Sequence, residues 1–229
     1  MIGTIGTLLA KPLELMEANF RKPTGRAGRF FGNLMAVQHR SLTEWAIEHM
    51  DVRGHQRVLD IGCGGGMAVK LLSLRTPQGF TAGVDYSMEM VAQAVRRNVP
   101  GIARGRVEVR HGDCRELPYE DASFDQVCAI ETFYFWPDPM RGLAEAYRVL
   151  KPGGQVSVTL EMSREAGADP SMVQRFFGRR FTERSERDGL HILSGDDLVD
   201  RLTKAGFQDA RFVSEPSRSL GWVCALARK

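Results

Sequence analysis

Val58-Leu59-Asp60-Ile61-Gly62-Cys63-Gly64-Gly65-Gly66 is the stretch from which the fold is read. A short apolar run ending in an acid reads as a buried parallel strand, and four glycines within five residues follow it. Met67-Ala68-Val69-Lys70-Leu71-Leu72 then opens a helix. Strand, glycine turn and helix together make a cradle for a nucleotide-type cofactor. Glycine tolerates positive φ and lets a ligand approach the backbone, and the first turn of a helix offers free N–H groups.

Downstream, the same rhythm repeats. Pro77-Gln78-Gly79 turns the chain into a second strand, Phe80 to Asp85, again ending in an acid, and Ser87 caps a helix that Pro100-Gly101 is expected to stop near Asn98. Val107 to His111 is a third strand closed by Gly112-Asp113, and Phe124 to Glu131 a fourth. A helix from about Asp138 to Leu150 leads through the turn Lys151-Pro152-Gly153-Gly154 into a fifth strand, Gln155 to Leu160. Strands alternating with helices imply a parallel sheet with right-handed crossovers. The ending differs: Ser194 caps a helix closed by Gly206, and two strands, about 207–213 and 221–227, are separated only by Ser214 to Leu220. So short a loop favours an antiparallel pair. The expected fold is α/β, a Rossmann-like doubly wound sheet, mostly parallel with an antiparallel last strand, with helices on both faces and an N-terminal helical extension.

Upstream, Ser41-Leu42-Thr43-Glu44 has the form of a capping box, with Leu42, Trp45, Ala46 and Met50 on one face of the helix it starts. Two units are expected: residues 1–50 as a helical extension or lid, and 51–229 as the cofactor domain. Within the second, residues 162–190 form a polar, arginine-rich insertion on the acceptor side. Its Arg175, Arg179, Arg180, Arg184 and Arg187 interleave with Glu183, Glu186 and Asp188, as on a solvated helix face.

Composition narrows the function classes. At 229 residues the chain can bury a full core, and 43% hydrophobic with 26% charged residues is ordinary for a globular protein. A formal charge of +3 is too small to demand nucleic acid or an anionic membrane as partner. Cys63, Cys114, Cys128 and Cys224 are scattered, without metal-ligand spacing, so no metal is expected and the chain reads as a reduced, cytoplasmic protein. No apolar run reaches the roughly 18 residues a membrane span needs.

The glycines alone leave a dinucleotide open, but Met67 stands where a Gly-x-Gly-x-x-Gly pattern wants its third glycine. Asp60 would also repel a pyrophosphate, and it suits a cofactor with an amino group and a positive centre. Asp85, ending the next strand, is placed to bond a ribose diol. Taken with Gly83-Val84-Asp85-Tyr86-Ser87, Gly112-Asp113, Leu117-Pro118-Tyr119, Phe124-Asp125-Gln126-Val127 and Arg148-Val149-Leu150-Lys151-Pro152-Gly153-Gly154, the chain resembles class I S-adenosylmethionine-dependent methyltransferases of the UbiE-like, or type 11, kind. The likeness covers roughly residues 56–160.

The resemblance implies a methyltransferase that moves a methyl group from S-adenosylmethionine to a small-molecule acceptor. The alternatives are a non-catalytic cofactor-binding protein, a different transfer from the same cofactor, or an NAD-linked reaction. It implies that Gly62, Cys63 and Gly64 lie against the methionine part with Asp60 near its amino group. Asp85 then takes the ribose, Tyr86 or Met90 flanks the adenine, Asp113 and Cys114 bind its amino edge, and Glu131 lies where the methionine end meets the acceptor. Glu131, Tyr134 and His191 are the catalytic candidates, with His39 and Trp136 behind them. Phe133-Tyr134-Phe135-Trp136 reads equally as an acceptor wall or as core. The expected state is monomer or homodimer.

Overall fold

Val58, Leu59, Asp60 and Ile61 are all buried, and burial on both faces is what a strand in the middle of a parallel sheet requires. In the computed structural model, which describes residues 40–164, 192–218 and 221–229, this strand sits in a seven-stranded sheet. The chain runs α1 (Arg40–His49), β1 (Arg57–Ile61), α2 (Met67–Arg75), β2 (Phe80–Asp85), α3 (Met88–Ala103) and β3 (Val107–His111). It continues through β4 (Phe124–Ile130), a 3-10 turn (Phe133–Phe135), α4 (Pro139–Val149), β5 (Leu150–Leu160), α5 (Gly195–Lys204), β6 (Gln208–Glu215) and β7 (Trp222–Arg228).

The strand order is β3-β2-β1-β4-β5-β7-β6. β1 to β5 pair in parallel, and β7 enters antiparallel between β5 and β6. The chain first walks outward from β1 to β3, then returns to the other side of β1 as β4. This reversal opens a crevice at the carboxyl ends of β1 and β4, where open α/β sheets bind ligands. Alternation decides which side chains go where. Leu59, Ile61, Val127, Ala129, Val156 and Val158 pack against Leu143, Ala146 and Val149 of α4 and Leu198 and Leu202 of α5. On the other face, Val58, Cys128 and Ile130 pack against Ala46 and Ile47 of α1 and Ala68 and Leu72 of α2.

Four local expectations change. Arg40 and Ser41 are already helical, so Ser41 is not the cap of α1, and Glu44 instead pairs with Arg40 Nε at 2.9 Å. Leu42, Ala46, Ile47 and Met50 are buried, so residues 40–50 of the expected extension are built into the sheet's own core; residues 1–39 lie outside the described residues. Pro100 does not stop α3, which continues to Ala103. In a last turn, the N–H that proline lacks removes one helical bond only, and the stop comes at Gly105, with φ +67° and its N–H donating to Ile102 O. Finally, β5 starts at Leu150, and Lys151-Pro152-Gly153-Gly154 forms a bulge inside it: the register jumps from Phe124↔Leu150 to Gln126↔Gln155.

Candidate active site

The glycine turn is built by contacts on three sides. Gly62 N and Cys63 N both donate to Val84 O, at 2.7 and 3.0 Å, tying the turn to β2. Gly62 has φ +76°, and a Cβ there would lie 2.0 Å from Thr132 Oγ1, so only glycine lets the end of β4 come this close. Gly64 N donates to Asp85 Oδ2 at 2.8 Å. From α3, Arg97 Nη1 donates to Gly65 O, and Asn98 Nδ2 donates to Gly66 O at 3.0 Å. A Cβ on Gly64 would meet nothing within 4 Å, so this part of the turn faces open space.

Two strand-ending acids flank the turn, in different settings. Asp85 accepts from Gly64 N through Oδ2 and from Ser87 N through Oδ1, each at 2.8 Å. Burial raises its pKa, opposed by those two N–H groups and by His111. Asp60 is 1% exposed and receives a long hydrogen bond, 3.6 Å, from Cys128 Sγ. Burial pushes its carboxyl up to about 7; the Cys128 thiol opposes this and the Asp85 charge adds to it. Asp113 is the contrast. Arg115 grips it from Nε at 3.0 Å and Nη2 at 2.7 Å, and holds its carboxyl down at about 2. Cys114 beside it is pushed up to about 12, mainly by burial, and stays a thiol.

A cavity of about 450 Å³ opens at these strand ends. Ile61 and Gly62 line it from β1; Val84, Asp85 and Tyr86 from β2; Gly112 to Arg115 from beyond β3. Thr132 and Tyr134 to Pro137, beyond β4, complete the wall. Of the residues singled out in the sequence, Gly62, Asp85, Tyr86, Asp113, Cys114 and Tyr134 therefore share one cavity. Asp60, Cys63 and Met90 do not line it and are buried, at 1%, 7% and 4% exposure, and Gly64 and Glu131 are not among its lining residues either. His191, His39 and the arginines of residues 175–187 lie outside the described residues.

Glu131 is bonded to the cavity-lining Tyr134. Tyr134 OH donates to Glu131 Oε1 at 2.9 Å and accepts from Met162 N at 3.0 Å, and Glu161 N also donates to Glu131 Oε1. These bonds tie the end of β4 to the end of β5. Burial pushes the Tyr134 phenol far up, so it stays protonated. Glu131 has φ +58°, an unusual conformation for a residue with a side chain, and the bonds to β5 hold it there.

The sequence reading missed Thr132, Arg115, Arg97 and Asn98. Thr132 is the second residue past β4, and strand counting could have placed it. Asn98 carried a signal: a polar residue on the inner face of an amphipathic helix, with Gln93 and Ala94 buried on the same side. Asp125 takes Arg57 N at 2.7 Å and Lys151 Nζ at 2.8 Å, joining the starts of β1, β4 and β5.

The residues fit a nucleoside cofactor with an amino-acid tail. There is a cavity of suitable size, a glycine turn open at Gly64, an acid at the end of β2 whose two carboxylate oxygens each accept one N–H and have capacity for a further donor, and a second acid beyond β3. Comparison with known proteins agrees. A methyltransferase domain family matches residues 59–158. The demethylmenaquinone methyltransferase of Staphylococcus aureus (strain JH9) is 36% identical over 228 residues, covering 93% of this chain and 91% of that protein. The 27-O-demethylrifamycin SV methyltransferase of Amycolatopsis mediterranei (strain S699) is 35% identical over 194 residues, covering 82% and 67%. Among solved structures, the [4+2]-cyclase SpnF shares the fold with a TM-score of 0.67 at 24% identity, over 83% of this chain and 81% of that one. With motif order, sheet topology and close relatives in agreement, the chain belongs to the class I S-adenosylmethionine-dependent methyltransferases of the UbiE-like kind.

Proposed function

We propose that the protein methylates a small organic acceptor and releases S-adenosylhomocysteine. The observation that carries the reading is a single cavity with two unlike walls. Acids at strand ends, Asp85 and Asp113, stand on one side, and the aromatic run Tyr134 to Trp136 on the other. The two relatives described above are named for small-molecule acceptors, which supports the same class here. S-adenosylmethionine, when bound, supplies a methyl group activated by its sulfonium sulfur.

The chain's own part is to bind, align and exclude water. Gly62 and Gly64 let the backbone approach the methionine portion, with Cys63 and Asp60 behind them. Asp85 takes the ribose hydroxyls, Tyr86 or Met90 flanks the adenine, and Asp113 and Cys114 meet its amino edge. Tyr134, Phe135 and Trp136 exclude water on the acceptor side and suit a largely apolar ligand. Displacement at a sulfonium carbon demands chiefly alignment, so positioning supplies much of the rate. Tyr134, its hydroxyl committed to Glu131 and Met162 N, shapes that wall. Glu131, bonded to the cavity-lining Tyr134, is the first candidate carboxylate on the acceptor side, and His191 the second candidate; a base is needed only where the nucleophile arrives protonated.

Calorimetric titration with S-adenosylhomocysteine tests the reading. Asp85→Asn keeps one acceptor oxygen and is expected to weaken binding by about 1–3 kcal/mol with the protein still folded, the scale of a lost charged hydrogen bond. Unchanged affinity would remove the ribose from Asp85.

A further inference from the structure

One face of α4 grips the segment that follows β3. Arg141, Glu145 and Arg148 are spaced i, i+4 and i+7, which aligns them along one side of the helix. Arg141 Nε donates to Arg115 O at 3.0 Å. Glu145 Oε2 accepts from Leu117 N at 2.7 Å, and Arg148 Nη2 donates to Leu117 O at 3.1 Å. Arg148 Nη1 reaches Tyr119 O at 2.8 Å. Three successive positions on the helix thus hold the backbone of every second residue, 115, 117 and 119. Glu145 and Arg148 are themselves joined, Nε to Oε1 and Nη2 to Oε2, both at 2.8 Å, a bidentate pair with fixed geometry.

The gripped segment begins with Gly112 to Arg115, the cavity wall beyond β3. Arg115 is the link between grip and wall. Its carbonyl is held by Arg141, and its side chain and its own N–H hold Asp113, with N to Oδ1 at 2.8 Å. The same helix starts directly after the aromatic wall, where Asp138 caps it by accepting from Arg141 N at 3.1 Å. One rigid element therefore carries the aromatic wall at its start and fixes the opposite wall along its side. A recognition carboxylate needs such support, because a small misplacement forfeits its selectivity.

We infer that α4 positions adenine recognition: Arg141, through Arg115, holds the Asp113 carboxylate where it discriminates a 6-amino purine from its 6-oxo analogue. This rests on the reading of the cavity as an S-adenosylmethionine site. Arg141, Glu145 and Arg148 touch no ligand themselves and are positioning residues.

The test is a ratio of affinities. The full chain and its Arg141→Met and Arg141→Lys variants are titrated calorimetrically with S-adenosylhomocysteine and with S-inosylhomocysteine, whose 6-oxo group cannot donate to Asp113. Thermal unfolding is followed alongside; Arg141 is exposed, so neither variant removes core. Wild type is expected to favour the amino ligand by about tenfold or more, as sites built to bond a donor reject analogues lacking it. Arg141→Met is expected to bring that ratio below about threefold, and Arg141→Lys to recover part of it. Equal weakening of both ligands with the ratio kept would overturn the inference, since that is what a merely structural role produces. Wild type that binds both ligands alike would overturn it too, by removing Asp113 from recognition. Wild type that binds neither would instead remove the cofactor reading itself.

Discussion

The effect of Asp60→Asn on stability should change sign with pH. The carboxyl is 1% exposed, and burial carries its pKa from the ordinary 3.8 to about 7. In the unfolded chain the group ionises near 3.8, whereas in the fold it keeps its proton to about 7. Between these values unfolding releases a proton, so rising pH favours the unfolded state. The contribution of Asp60 to stability is therefore intact below about pH 4 and falls by about 1.4 kcal/mol per unit until about pH 7. Over roughly 3 units the loss is about 4 kcal/mol. Asparagine is neutral throughout and removes this dependence, at an initial cost of about 1–2 kcal/mol for an imperfectly bonded buried amide. Urea unfolding of both proteins at about pH 4.5, 6 and 7.5 isolates the effect, because titrations remote from Asp60 are common to the pair. The variant should be the less stable protein at the lowest pH and the more stable one at the highest. A stability difference that stays constant across the series would refute the reasoning. Under the proposed function the same variant binds S-adenosylhomocysteine less tightly, a gain in stability set against function.

Gly62→Ala should destabilise by about 2–5 kcal/mol, about 1–2 from the left-handed backbone and the rest from overlap with Thr132. Its Cβ would lie 2.0 Å from Thr132 Oγ1 and 2.7 Å from Thr132 Cβ, so Thr132→Gly in the same chain should return the overlap share in a double-mutant cycle of urea midpoints; additive effects would contradict the geometry. Lys229→Met should cost about 1–2 kcal/mol, because Nζ donates to Tyr147 O at 2.7 Å and Leu150 O at 2.8 Å at the C-terminal end of α4. An unchanged urea midpoint would show those bonds to be energetically idle, and cofactor-product affinity should not move in either case.

What could be read from the chain depended on how local its cause was. The strand Val58 to Ile61, the glycine turn and the acid at Asp85 follow from periodicity and from the φ that glycine alone adopts easily, so they were legible residue by residue. Leu117-Pro118-Tyr119 and the run beginning at Arg148 were visible as motifs but not as partners. Their meaning is a single clamp, Arg148 on the carbonyls of Leu117 and Tyr119, and a guanidinium does not announce a target some thirty residues upstream. The same holds for Asp125, whose two partners begin β1 and lie on β5. Pro100 and Ser41 misled for the opposite reason. Each carries a strong local signal, a helix stop and a helix cap, which the packing of α3 and the earlier start of α1 override.

The aromatic run after β4 shows why the acid side of the cavity reads more easily than the aromatic side. The acids sit at or near strand ends, and sheet register sets their positions: Asp60 pairs with Gly83, and Asp85 with His111. The aromatic wall has no such frame. In a 3-10 turn successive side chains point about 120° apart, so a run of aromatics faces several neighbours at once. Phe133 is wholly core, 1% exposed with its ring 4.9 Å from Trp136, while Tyr134 and Trp136 are buried in the same core cluster and also border the cavity, with Phe135 beside them. Wall and core, which the sequence left as alternatives, are thus combined in the same residues. What sets the run in place is Glu131. Its positive φ turns the chain out of β4, and the bonds from Glu161 N and Tyr134 OH hold that turn against β5. A left-handed residue costs about 1–2 kcal/mol, comparable to what one or two hydrogen bonds return, so the aromatic wall stands where it does only while that carboxylate stays bonded.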